Sequence, residues 1–216
     1  MTTTHPAQAN LTRSDAYRLL AACFYEPERE LFLEENLCAN LANLLDALSI
    51  PEAESCHRME QDLKEQEQQA LLVDYSALFL GPFGAPAQPY GSIYLEQDRR
   101  LMGDSTTTVQ QIYAEAGVKP ESDGPPDHIA IELEFMSFLE QRIAEATAAA
   151  DEATVADFTA IQRRFFNWFL ANWAPLLGKA MQEHAGLTFY RALGECLSGF
   201  ITAEQDRIQQ LGTTAP

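Results

Sequence analysis

The sequence predicts an all-α fold, a single-domain helical bundle, and three observations carry the prediction. Apolar residues return every three or four positions in nearly every segment of the 216-residue chain. No stretch sustains alternation of apolar and polar residues, and no Asn-Gly pair offers a hairpin turn. No internal repeat of solenoid period occurs, and 46% hydrophobic residues supply one sizeable core.

Residues 1–10 are polar and expected to be disordered, leaving 11–212 as the helical domain. Thr12, with Asp15 three residues on, resembles a capping arrangement for a first helix carrying Tyr17, Leu20, Ala21 and Phe24, which Pro27 stops. A second helix is expected over residues 30–48, with Leu33, Leu37, Leu41, Leu44, Leu45 and Leu48 on its apolar side. Pro51 restarts helix in a polar segment over 52–69, after which the stripe returns as Leu72, Tyr75, Leu78 and Phe79.

A long Gly/Pro/aromatic loop over 81–95 then interrupts the helices. Gly81, Gly84 and Gly91 free the backbone, while Pro82, Pro86 and Pro89 fix it, so the loop has a shape. Between Tyr75 and Leu95 there is no charge, and Phe83, Tyr90 and Tyr94 add aromatic surface. Such a loop either folds down onto the core or walls a groove for an apolar peptide, with Tyr75, Leu78 and Phe79 as its floor.

Beyond a short mixed stretch, Ser105 is expected to cap a helix with Val109, Ile112 and Tyr113, ending at Gly117. Residues 119–126 form a turn-rich linker and a possible hinge. Pro126 suits the first position of a helix over 127–149 that is apolar on two sides, and so central. An alanine-rich break at 147–154 precedes helices over 152–172, 173–184 and 188–211.

The charge excludes some partners. Fourteen Lys and Arg against 32 Asp and Glu leave −18 at pH 7, a surface that repels nucleic acid and anionic membranes and attracts basic partners. No apolar run reaches the roughly 18 residues of a membrane span. No apolar targeting stretch follows Met1, and Cys23, Cys38, Cys56 and Cys196 lack metal-finger spacing, so a cytoplasmic protein with reduced thiols is expected.

Catalytic and metal patterns are thin. Asp127, His128 and Glu132 crowd one helix start, and Glu54 with His57 forms a single Glu-x-x-His, too few ligands for a metal centre. There is no nucleophile elbow around Ser92 and no phosphate-cradling Gly-rich motif. Glu132 and Glu134 point to different sides of a helix. Asp127 is expected to cap that helix, and His128 to bond onto the aromatic loop.

Several blocks in order resemble the TorD/DmsD/NarJ family of redox-enzyme maturation chaperones. They are Tyr75 with Leu78, Phe79, Gly81 and Pro82; Pro89-Tyr90-Gly91-Ser92-Ile93-Tyr94-Leu95; Met102-Gly103-Asp104-Ser105-Thr106; Pro126-Asp127-His128 with Glu132 to Met136; and Phe189-Tyr190-Arg191-Ala192-Leu193-Gly194. The resemblance implies an all-helical chaperone without catalysis, cofactor or metal. Its partner would be the catalytic subunit of a molybdopterin oxidoreductase of the DMSO reductase family, together with that subunit's twin-arginine signal peptide. Nucleotide or molybdenum-cofactor handling is the alternative, and monomer or domain-swapped dimer the expected state. Carried over by position, the peptide surface falls on Tyr75, Leu78, Phe79, Pro89, Tyr90, Tyr94, Asp127 and His128. Family members often carry Trp where Tyr75, Tyr90 and Tyr94 stand, so the rim should be more polar here. Phe169 and Asn172, ahead of Trp173, replace a His and a Pro of the family pattern.

Overall fold

Helical periodicity becomes helix along almost the whole chain. A computed structural model describes residues 6–81, 84–119 and 124–213. These form α1 (Pro6–Ala22), α2 (Arg29–Glu34), α3 (Leu37–Ala47), α4 (Ala53–Glu65), α5 (Gln68–Phe79), α6 (Gly91–Leu95), α7 (Asp104–Glu115), α8 (Ile129–Ala148), α9 (Glu152–Phe165), α10 (Ala171–His184) and α11 (Thr188–Thr213). A π-helical turn, Phe166–Leu170, joins α9 to α10. Among the described residues there is no strand, and one isolated bridge pairs Tyr90 with His128.

Helix α8 is buried on nearly every side, as its two apolar faces require. It packs against α1 and α9, while α11 packs against α4 and α10, and α3 joins α1 to α4. The core is aromatic-rich: Tyr17, Phe24, Tyr113, Phe165, Phe166, Trp173, Phe189, Tyr190 and Phe200 are all essentially buried. The four cysteine thiols are free and buried.

Several boundaries differ from expectation. The stretch expected to be disordered up to residue 10 is helical from Pro6, and Thr12 bonds back to the Gln8 carbonyl inside α1 instead of capping it. The helix expected over 30–48 is two helices, because Asn36 takes a left-handed conformation (φ 50°) that asparagine tolerates. The break lets Phe32 reach Phe189 (6.2 Å) while Leu41 and Leu45 enter the core. Helix α7 starts at Asp104, and Ser105 lies inside it, donating from both N–H and hydroxyl to Glu96. Part of the loop, residues 91–95, is the short helix α6. Of the 119–126 linker, residues 120–123 lie outside the described residues, as do Pro82 and Phe83.

Candidate functional site

The loop meets the start of α8 in a backbone joint. Ile129 N–H donates to the Pro89 carbonyl at 2.9 Å, and Gly91 N–H donates to the Asp127 carbonyl at 2.8 Å. The Asp127 carboxylate then accepts from Ser92 N–H at 2.7 Å. One residue thus holds the start of α6 by main chain and side chain together. Asp127 is 1% exposed, and its Oδ1 has no hydrogen-bond partner among the described residues.

This corrects two expectations about Asp127. It does not cap α8: the His128 N–H turns back onto the Pro125 carbonyl, the helix starts at Ile129, and His128 Nδ1 accepts from Ala130 N–H at 3.2 Å. Nor does it lie on an exposed peptide surface, since it is buried and its carboxylate faces the Ser92 amide. Burial pushes the His128 imidazole down to about 4, with Asp127 pulling the other way. The ring is therefore neutral at pH 7, with Nδ1 bare for Ala130 and its proton on Nε2.

An aromatic row rises from this joint. Tyr90 meets His128 edge to face at 5.3 Å, and His128 stacks with Tyr25 at 6.3 Å and 17°. Tyr90 and His128 are half-buried, Tyr25 is 43% exposed, and the Tyr25 hydroxyl donates to Glu134 at 2.8 Å. Glu26 and Glu134 are both exposed beside the row. Nothing in the sequence pairs Tyr25 with Glu134; Tyr25 lies in the turn after α1 and Glu134 in α8, and only the packing of α1 on α8 joins them.

The expected floor is core. Phe79 is 3% exposed and meets Phe24, Tyr75 and Tyr190 at 6.2, 5.1 and 5.8 Å. Leu78 is buried, and its carbonyl accepts from Ala87 N–H. Tyr75 is 8% exposed and donates to the Phe24 carbonyl at 3.4 Å, so it adds no polarity to a rim. Burial, then the nearby Tyr90 and Glu26, push its phenol up. Pro89 is buried in the joint.

Tyr94 turns away from the row and stacks on Trp173 at 5.6 Å. The Trp173 indole N–H donates to Glu132 Oε2 at 2.9 Å, and Glu132 is fully buried. Burial raises this carboxyl well above the ordinary carboxylate range. Glu134, two residues on, is exposed, so the two glutamates do face different ways. Ser92 is fully buried, its hydroxyl accepts from Met102 N–H, and among the described residues no side chain is hydrogen-bonded to that hydroxyl as a base. The eight expected residues thus gather in one region but in layers: Tyr90 and His128 at the surface, Pro89 and Asp127 in the joint, Tyr75, Leu78 and Phe79 in the core, and Tyr94 on its own indole platform. A separate trough of about 600 Å³ between α1, α2 and α3, lined by Leu19, Leu31, Phe32 and Leu44, includes none of them.

Comparison with known proteins places these features in company. A family described as the nitrate reductase delta subunit matches residues 32–178. The chaperone protein TorD of Aliivibrio salmonicida (strain LFI1238) is 31% identical over 144 residues, covering 66% of each chain. The Tat proofreading chaperone DmsD of Salmonella typhi is 27% identical over 146 residues, 67% of this chain and 65% of that one. The stretches matched thus span just under two thirds of these relatives. The chaperone protein TorD of Vibrio cholerae serotype O1 (strain M66-2) is 23% identical across 94% of both chains. A crystal structure of a candidate redox enzyme maturation protein from Archaeoglobus fulgidus superposes with a TM-score of 0.50 at 21% identity, over 94% of this chain and 96% of that one, and shares its fold.

Proposed function

The chain belongs to the nitrate reductase delta subunit family, and from that premise we propose that it is a cytoplasmic chaperone for the maturation of a molybdopterin oxidoreductase. It binds the apo form of the catalytic subunit and that subunit's twin-arginine signal peptide, and does so without catalysis. The observation that carries the peptide reading is the Tyr25–His128–Tyr90 row, open to solvent and flanked by Glu26 and Glu134. A guanidinium stacks on a tyrosine face while forking onto a carboxylate, which suits paired arginines to this row. The neutral His128 offers an Nε2–H to a peptide carbonyl. The −18 charge of the chain draws a basic segment toward it.

The test is affinity for a synthetic peptide with two consecutive arginines followed by an apolar segment. Tyr90→Ala should weaken binding by about 1–3 kcal/mol, as for an aromatic anchor, with the fold intact. Unchanged affinity in a folded Tyr90→Ala protein would show the peptide surface to lie elsewhere. Glu134→Gln should weaken association more at low salt than at high salt, because it removes a rim charge while leaving an amide oxygen to accept from the Tyr25 hydroxyl. The 119–126 linker serves as the hinge through which monomer and domain-swapped dimer interconvert.

A further inference from the structure

Helix α6 has five residues, too few to persist on helix propensity alone. It is held at its start by Asp127, which accepts from Ser92 N–H and, through its carbonyl, from Gly91 N–H. Its remaining support comes from α7, α10 and the π turn. There Tyr94 lies on the Trp173 ring, and the indole is itself fixed by Glu132. The fit is close: a Cβ on Gly91 would stand 3.0 Å from Trp173 Nε1 and 3.2 Å from Glu132 Oε1. Asp127 lies just before α8 and Glu132 in its first turn, so one continuous segment anchors α6 twice, once directly and once through an indole from α10.

Polar groups are retained here although they are costly. Glu132 Oε1 and the Tyr94 hydroxyl are buried without a hydrogen-bond partner among the described residues. An apolar residue at 132 would avoid that cost but would leave the indole N–H unpaired. We propose that Glu132 and Trp173 are positioning residues: their hydrogen bond fixes the platform on which Tyr94 and α6 rest, and so sets the Tyr90 ring beside His128. Its consequence for ligand binding rests on the peptide reading of the Tyr90–His128 row; the positioning of α6 does not.

Amide hydrogen exchange over residues 91–95, with α3 as internal control, reads the positioning directly. Peptide affinity and thermal midpoint are read on the same full-length variants. Glu132→Leu and Trp173→Phe should each speed exchange in α6 about tenfold, as for the loss of a buried hydrogen bond, with α3 unchanged. Glu132→Gln keeps an acceptor for the indole and should restore both exchange and affinity to near the parent values. Where Trp173→Phe does not fold, Gly91→Ala carries the test, since its methyl group meets the indole and should loosen α6 alone. The proposal is overturned if α6 exchange stays at the parent rate in Glu132→Leu and Gly91→Ala, or if Glu132→Gln is as damaging as Glu132→Leu. A loosened α6 with unchanged affinity for the arginine-bearing peptide upholds the positioning and refutes the peptide reading instead.

Discussion

His128 shows how much one side chain can carry. It caps α8 through Nδ1, meets Tyr90 and Tyr25 through its ring, and is neutral because burial holds it at about 4. An imidazole depressed in the folded state stabilises fully above its unfolded value near 6.5 and loses that contribution as pH falls toward 4. Acid titration of stability should therefore steepen between pH 6.5 and 4, with at most about 3 kcal/mol at stake. His128→Asn keeps a capping acceptor and removes the titration, so its stability curve should be flatter across that window. Phe79 differs from Tyr90 on the same scale. Phe79→Ala opens a cavity among Phe24, Tyr75 and Tyr190 and should cost about 3–5 kcal/mol in denaturant unfolding, with peptide affinity falling only through stability.

At the scale of elements, helix ends are set by single residues. Asp151 caps α9, its carboxylate accepting from the Thr154 N–H at 3.1 Å and hydroxyl at 2.7 Å. These two bonds hold the exposed carboxyl below its ordinary range. Asp151→Ala should lower stability at neutral pH through loss of the cap, measured by chemical denaturation. The break between α9 and α10 has another origin. Sequence places it after Asn172, ahead of the Trp173 segment, whereas the chain stays helical and widens into a π turn at Phe166–Leu170. That turn buries Phe166, Phe169 and Leu170 while Trp168 points outward at 59% exposure. Pro175 then sits inside α10 without an N–H for the preceding turn.

The whole molecule is tied together by a buried charge cluster joining α1, α8 and α11. Arg207 donates to Glu140 at 2.5 Å and to Glu204 at 2.6 Å, while Arg13 and Tyr17 also reach Glu204, and Gln162 reaches Glu140. Glu140 and Glu204 are almost fully buried. Arg207→Met leaves two buried carboxylates facing each other and should destabilise the fold by about 3–5 kcal/mol in equilibrium unfolding. The same scale governs oligomeric state. If the 119–126 linker is the swapping hinge, shortening it should change the dimer fraction on gel filtration; an unchanged fraction would place the hinge elsewhere.

By itself the sequence determined the helical class, the central place of α8, the shaped loop after α5 and the order of family motifs. These follow from local rules: period 3.6 reports which side of a helix is apolar, and Gly and Pro report where it must stop. It also brought Tyr90 and His128 forward together, because both stand at helix junctions where the apolar pattern lapses. What only the tertiary structure decided is the depth at which each candidate lies. Tyr75, Leu78 and Phe79 read by default as core and also as a groove floor, since an apolar stripe does not say what covers it; Phe24, just past α1, and Tyr190 of α11 cover it. Asp127 read as a helix cap until the loop supplied Ser92 N–H from 35 positions away in sequence. Nothing local in the sequence pairs Tyr25 with Glu134 or Trp173 with Glu132. They meet in two separate pairs, Tyr25 with Glu134 at the surface and Trp173 with Glu132 in the core, because α1 and α10 pack around α8, and both pairings depend on contacts between distant parts of the chain.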